Sequence, residues 1–285
     1  MKHSRRRSRA SRTAALWCGH VVVALVALVA LVALTACGSV RSSATTPAEG
    51  PSRSGATNQL TTGERDAGWR LLFDGRSFTG WRGLGYTTVP AEHWTIEDGS
   101  IRKIASGRIP VQADGQPREG GDLMTEATYR DFELSWEWKM SAGGNSGVKY
   151  NVSEQLSTAM APPHAAKGFE YQMLDDDRHA DGKLPTHRTG ALYDLIAPPE
   201  NKPINPVGEW NRSGIIFDGN RGEHWLNGRK VVDYELGSSP MRQALAASKY
   251  APIPWFAERR SGHIVLQDHG DEVFFRNLKI RELTR

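Results

Sequence analysis

Asp131-Phe132-Glu133-Leu134-Ser135-Trp136-Glu137-Trp138-Lys139-Met140 decides the fold class. Apolar side chains take every even position, and Glu133, Ser135, Glu137 and Lys139 stand between them. A period of two sustained this long marks a strand with one buried face. Trp136 and Trp138 share that face with Phe132 and Leu134, which assigns them to the core rather than to a sugar-stacking platform.

The same period recurs on both sides. Upstream, the run from Trp94 to Ile101 carries an Asp98-Gly99 turn of the kind that joins two strands. Downstream, Ile215–Phe217, His224–Leu226 and Lys230–Tyr234 are separated by Asp218-Gly219-Asn220 and Asn227-Gly228, which reads as a meander. His263–Gln267 and Val273–Ile280 add two more strands. Met241–Lys249 is the one clearly helical stretch, and residues 154–166 read as helix or loop. Nothing repeats with a period of roughly 20–50 residues, which excludes propellers and solenoids. The expected fold is all-β: a concanavalin A-like β-sandwich (jelly roll) with one or two short helices.

The chain has 285 residues and a formal charge of +4. That charge is misleading. Residues 1–36 hold six basic side chains (Lys2, Arg5, Arg6, Arg7, Arg9 and Arg12) and no acid, leaving 30 basic against 32 acidic groups, a net −2, for the rest. No nucleic-acid partner is expected from such a balance.

The basic start is followed by the unbroken apolar run Val21–Leu34 and then by Leu34-Thr35-Ala36-Cys37-Gly38. The run is shorter than the about 20 residues that span a bilayer. It fits a signal-peptide core, and the residues around Cys37 resemble a lipobox. The expectation is a lipoprotein signal over 1–36, lipidation at Cys37 and export to the bacterial envelope with a lipid anchor; a plain secretory leader with a chance cysteine is the alternative. Cys18 would leave with the leader and Cys37 would carry lipid, so the exported domain would have no thiol. Residues 37–66 are read as a flexible linker rich in Ser, Thr and Pro, and 67–285 as the folded domain.

Within that domain a series of short segments appears in a fixed order: Leu72-Phe73-Asp74-Gly75 with Gly80-Trp81, Asn145-Ser146-Gly147, Gly168-Phe169-Glu170-Tyr171-Gln172-Met173-Leu174-Asp175-Asp176, Gly190-Ala191-Leu192-Tyr193-Asp194, Gly208-Glu209-Trp210-Asn211, His224-Trp225-Leu226-Asn227-Gly228, Ser261 to Gly270, and Phe275 to Ile280. Together they resemble the 3-keto-disaccharide hydrolase family, described as 3-keto-glucoside 1,2-lyases and 3-keto-2-hydroxy-glucal hydratases. One departure is Asn151, where many members carry Arg or an aromatic residue.

The resemblance implies substrates that are 3-keto-glycosides. A ketone at C3 acidifies the C2 proton. A base can then take that proton, the C1 substituent leaves by elimination, and water adds back. Such a site needs a base, a stabiliser for the enolate oxygen and an acid for the leaving group. A divalent metal ion is one possible stabiliser, although no metal-binding spacing is evident in the sequence, so the metal ligands are unknown at this point. The chain also lacks the closely paired carboxylates of a retaining glucanase.

If 169–174 is a strand, Glu170 and Gln172 share one face and Phe169, Tyr171 and Met173 the other. The apolar set would enter the core, leaving Glu170 and Gln172 to line an open groove. Glu170, Asp175, His179 and His269 are the expected catalytic groups. Asn145, Lys149, Gln172, Tyr193, His224, Gln267 and Arg276 are the expected substrate-binding groups. Asp176, Asp177 and Asp181 are read as surface, Tyr150 as core, and His93, His164 and His187 stand in no recognisable pattern. The rival reading is a non-catalytic carbohydrate-binding module on the same sandwich.

Overall fold

The computed structural model describes residues 56–105 and 121–284, with positions 110, 112 and 118 between them. The leader expected over 1–36 and the lipidation site at Cys37 lie outside the described residues.

The alternating segments become strands: β1 (Arg70–Leu71), β2 (Trp81–Gly83), β3 (Trp94–Glu97), β4 (Ser100–Lys103), β5 (Leu123–Thr125), β6 (Phe132–Met140), β7 (Asn145–Val152), β8 (Phe169–Leu174), β9 (Asn211–Asp218), β10 (Arg221–Leu226), β11 (Arg229–Glu235), β12 (His263–Leu266) and β13 (Val273–Glu282). They form two sheets of a β-sandwich. The larger has the order β11-β10-β9-β6-β13-β4-β3, with β1 also on β13; the smaller has the order β2-β5-β12-β7-β8. The register of β6 against β13 and β9 is antiparallel along its length. The expected meander is β9-β10-β11, and Asp98 and Gly99 both take positive φ in the turn between β3 and β4, as a two-residue hairpin requires.

The core lies between the sheets. Phe132, Leu134, Trp136 and Trp138 from the large sheet meet Val148, Tyr150, Phe169, Tyr171 and Met173 from the small one. Among the described residues most polar atoms that enter it are paired, Trp136 Nε1 being an exception. Trp138 Nε1 donates to Ser213 Oγ at 2.8 Å, Ser213 Oγ to the Tyr171 hydroxyl at 2.9 Å, and that hydroxyl to Trp225 O at 3.1 Å. Buried polar groups are costly unless satisfied in this way.

Among the described residues three short α-helices decorate the sandwich: α1 (Thr62–Asp66), α2 (Glu154–Thr158) and α3 (Ser239–Ala247). The last begins two residues ahead of the expected stretch because Ser238 caps it, accepting from Met241 N. α1 was not anticipated. Thr61 and Glu64 form a capping box, and Glu64 then ion-pairs with buried Lys279 on β13. Asn58 is also fixed, through Gly99 O and the Asn277 side chain. Residues 58–64 thus pack on the β3–β4 turn and β13 although they precede residue 67, where the folded domain was expected to begin. Burial, which works against ionisation of Glu64, is outweighed by the bonds from Lys279 and Thr61, and its carboxyl sits below its usual value.

Candidate active site

The outer face of the small sheet is unusual in what it buries. Lys149 on β7 stands opposite Glu170 on β8, and Gly147 opposite Gln172. Lys149 Nζ lies 3.9 Å from Glu170 Oε2 and 3.6 Å from Asp122 Oδ2. Lys149 is 4 %, Glu170 5 % and Asp122 2 % exposed. Three ionisable groups are thus sealed together, one cation between two acids. Burial pushes the Glu170 carboxyl above its ordinary value, and Lys149 and Lys249 only partly offset it. Burial likewise raises Asp122, against the pull of Lys149. Lys249 is exposed as a residue, yet desolvation of its ammonium beside the face lowers it, and Glu170 pulls it back up.

Gly147 explains the Asn-Ser-Gly motif. A Cβ there would sit 2.5 Å from Glu170 Oε1, so only glycine lets the carboxyl lie across β7. Gln172 lies on the same face. Its amide is satisfied with the nitrogen donating to Ser146 O at 3.2 Å and to Glu170 Oε1 at 3.1 Å; the opposite orientation would aim its oxygen at two acceptors. Its remaining amide atom meets the Asn145 side chain at 3.2 Å, and Asn145 in turn stands 3.4 Å from His269 Nε2. Asn145 N donates to Asp271 Oδ2 at 3.0 Å. His179, His269 and Asp271 bring one donor atom each within 4.8 Å of one another. Burial raises the Asp271 carboxyl, partly offset by the Asn145 N–H.

On the other side of Glu170, Tyr193 N donates to Glu170 O at 3.0 Å, which extends the sheet edge by a few residues. The Tyr193 hydroxyl donates to Asp181 Oδ2 at 3.2 Å, and the Lys249 ammonium lies over the Tyr193 ring at 4.3 Å. His187 completes this rim, between Asp181 at 3.5 Å and Asp194 at 3.1 Å. Gln267, beyond β12, donates its backbone N–H to Gly147 O, while its side-chain oxygen is buried without a partner among the described residues. Beneath the face, Asp268 binds Lys103 Nζ at 2.9 Å and His93 Nδ1 at 2.5 Å and donates its backbone N–H to Asp122 Oδ1 at 2.9 Å.

Glu170, Gln172, Asn145, Lys149, Gln267, His269, His179 and Tyr193 therefore fall in one region. Three other expected site residues do not join them. His224 is fully buried inside the sandwich, where its ring meets the Tyr150 hydroxyl at 2.9 Å and Gly190 O at 3.1 Å. Burial lowers it to about 4, so it is a neutral core residue. Arg276 points out from the large sheet, on the far side of the molecule, paired with Glu137 at 2.8 Å and stacked on Trp210. Asp175 lies at the end of β8, but its oxygens accept from the backbone of Gly143, Asp177 and Arg178 and from the Arg178 guanidinium. Despite its burial these bonds hold its carboxyl below the usual range, as expected of a turn brace rather than a base.

Glu170 and Gln172, expected to line an open groove, are instead 5 % and 1 % exposed. They form a covered floor, and the more accessible groups are Tyr193 and Lys249 on one side and His179, His269 and Asp271 on the other. Asn151, the departure noted above, takes positive φ and holds the 258–260 segment by donating to Glu258 O and accepting from Arg260 N. Asp122, Lys249, Asp271 and His187 were missed. Asp122, Lys249 and Asp271 come from loops and His187 from a short 3-10 turn, and no periodicity marks them.

A family model for the 3-keto-alpha-glucoside-1,2-lyase-like domain matches residues 68–281. The chain belongs to that family. A curated relative from Bacteroides thetaiotaomicron, named 3-keto-disaccharide hydrolase, is 37 % identical over 235 residues, which is 76 % of this chain and 79 % of the relative. Two crystal structures from Parabacteroides distasonis, each provisionally named a glycosyl hydrolase, share the fold. One is 32 % identical with a TM-score of 0.67, covering 80 % of this chain and all of the other. The second is 26 % identical with a TM-score of 0.56, covering 75 % and 99 %. The 3-keto-α-glucoside-1,2-lyase-like match spans both sheets, and so includes every strand that carries a residue of the covered floor.

Proposed function

We propose that this chain cleaves 3-keto-glycosides by elimination, with Glu170 as the base. The observation that carries the reading is the Asp122–Lys149–Glu170 cluster, ionisable groups kept from water at a cost that a mere binding surface has no reason to bear. Glu170 removes the C2 proton, and its electron pair passes into the C2–C3 bond as the ketone becomes an enolate. The enolate collapses, the C1–O bond breaks, and the aglycone leaves as an alcohol once protonated. Water adding at C1, with a proton returned to C2, completes a net hydrolysis.

A base in a dry site is stronger than one in water, which matches the weak acidity of a carbon next to a ketone. Lys249 supplies positive charge on the accessible side for the developing oxyanion. The orphan oxygen of Gln267 accepts from a sugar hydroxyl. Membership of the family and the name of the Bacteroides relative support the same substrate class. We further propose that the chain is exported and lipid-anchored through Cys37, on the lipobox-like sequence alone.

The test is incubation of the full chain with a 3-keto-disaccharide. Release of the aglycone sugar with a 3-keto product is expected, and Glu170→Gln should abolish it while still retaining the sugar. Sugar binding without turnover by the unaltered protein would replace this reading with a carbohydrate-binding module.

A further inference from the structure

We infer that His179, His269 and Asp271, with the side-chain oxygen of Asn145, form a site for one divalent first-row transition-metal ion at the edge of the covered floor. The three donor atoms lie within 4.8 Å of one another, on two loops that follow β8 and β12. Metal–ligand bonds of about 2.1 Å set tetrahedral neighbours about 3.4 Å apart. A contraction of well under an ångström per ligand would close the site.

The amide chain gives an independent pointer. Gln172 spends its nitrogen on Ser146 O and Glu170 Oε1, so its oxygen needs a donor, and the Asn145 atom that it meets must be nitrogen. The Asn145 oxygen is then the atom 3.4 Å from His269 Nε2. That separation is long for a hydrogen bond and right for two ligands of a shared cation. Two imidazoles with oxygen donors favour Mn²⁺, Fe²⁺, Co²⁺ or Zn²⁺ over Ca²⁺ and Mg²⁺, which take all-oxygen sets. One contact must yield. If His179 binds through Nε2, its Nδ1 gains a proton and releases the Asp181 N–H that it accepts at 3.2 Å.

The site is connected to Glu170 through Asn145 and Gln172. On the reading proposed above, a ketone and neighbouring hydroxyl of the sugar would complete the coordination, and the cation would draw charge from the oxygen at C3. The presence of the site itself does not depend on that reading.

The experiment is calorimetric titration of the chelator-treated full chain with Co²⁺ and Zn²⁺, together with the visible spectrum of the Co²⁺ form. We expect one ion per chain and a ligand-field band. His269→Ala and Asp271→Ala should each weaken binding at least tenfold, while Glu170→Gln binds as the unaltered chain does. Thermal unfolding of each variant without metal establishes that it is folded. No saturable binding by the unaltered chain, or binding that survives both folded variants, would overturn the site. Binding in a protein that never turns over a 3-keto-glycoside would leave the site standing and remove the activity.

Discussion

The outer faces of the two sheets carry charge differently, with the buried Glu64–Lys279 pair beside α1 as the large sheet's exception. On the large sheet, Arg276 pairs with Glu137 and Arg281 with Glu133, in cross-strand pairs whose arginines reach solvent. On the small sheet, Lys149, Glu170 and Asp122 are closed off together. Pairs of the first kind contribute little and cost little. Groups of the second kind cost several kcal/mol each to desolvate, and the proposed activity gives that cost a reason. In the sequence the two faces look alike, since Glu133 and Glu137 alternate with apolar residues just as Glu170 does.

The strongest way to break this contrast is a matched pair of substitutions. Glu170→Gln should lower kcat by about 10³-fold, while Glu137→Gln leaves the kinetics unchanged. Similar losses from both, measured by steady-state release of the 3-keto product, would mean that burial does not separate the faces. Gly147→Ala comes next. Its Cβ must displace the Glu170 carboxyl, and a shift near 1 Å should cost about 10²-fold in kcat with the fold intact by circular dichroism.

Glu64→Gln tests the back of the molecule. Removing the charge that faces buried Lys279 should cost about 2 kcal/mol in denaturant unfolding without changing kcat. Because the Glu64 carboxyl is held below its unfolded value, its contribution is present at neutral pH and is lost as pH falls through the acid range. At low pH the variant and the parent should converge.

The pH profile sharpens the small-sheet side. A raised Glu170 must lose its proton to act, so kcat/KM should fall on the acid side at a higher pH than an exposed glutamate would give. The groups facing it are Lys149 from β7, Lys249 after α3, Asp122 before β5 and His187 on the rim. Lys149→Met removes a charge that favours the ionised form, and the acid limb should move further up. Arg276→Gln is the smallest effect, within about 1 kcal/mol of stability and without kinetic consequence.

Much of this was legible in the residues. The period of two located β6 and the meander, and parity alone put Glu170 and Gln172 opposite Phe169, Tyr171 and Met173. Parity would also have placed His224 in the core, because it shares a face with buried Leu226. Arg276 was misassigned for a different reason. Its outward direction is readable, but the sheet to which its strand belongs is fixed by pairing with β6, and pairing is not written locally. The cover over Glu170 was illegible for the same reason, since Asp122 and Lys249 reach it from distant loops whose paths follow no period. The Thr61–Glu64 capping box was present in plain sequence, overlooked inside a stretch dominated by linker-like composition.

The latch at residues 58–64 has a mechanical consequence. It grips β13 on the side of the sandwich turned away from Glu170. Tension applied to the leading end of the chain would load the Asn58–Asn277 and Glu64–Lys279 contacts first, and then peel the two-residue β1. Unfolding begun from that end would open the large sheet before it reached the strands that carry Lys149 and Glu170.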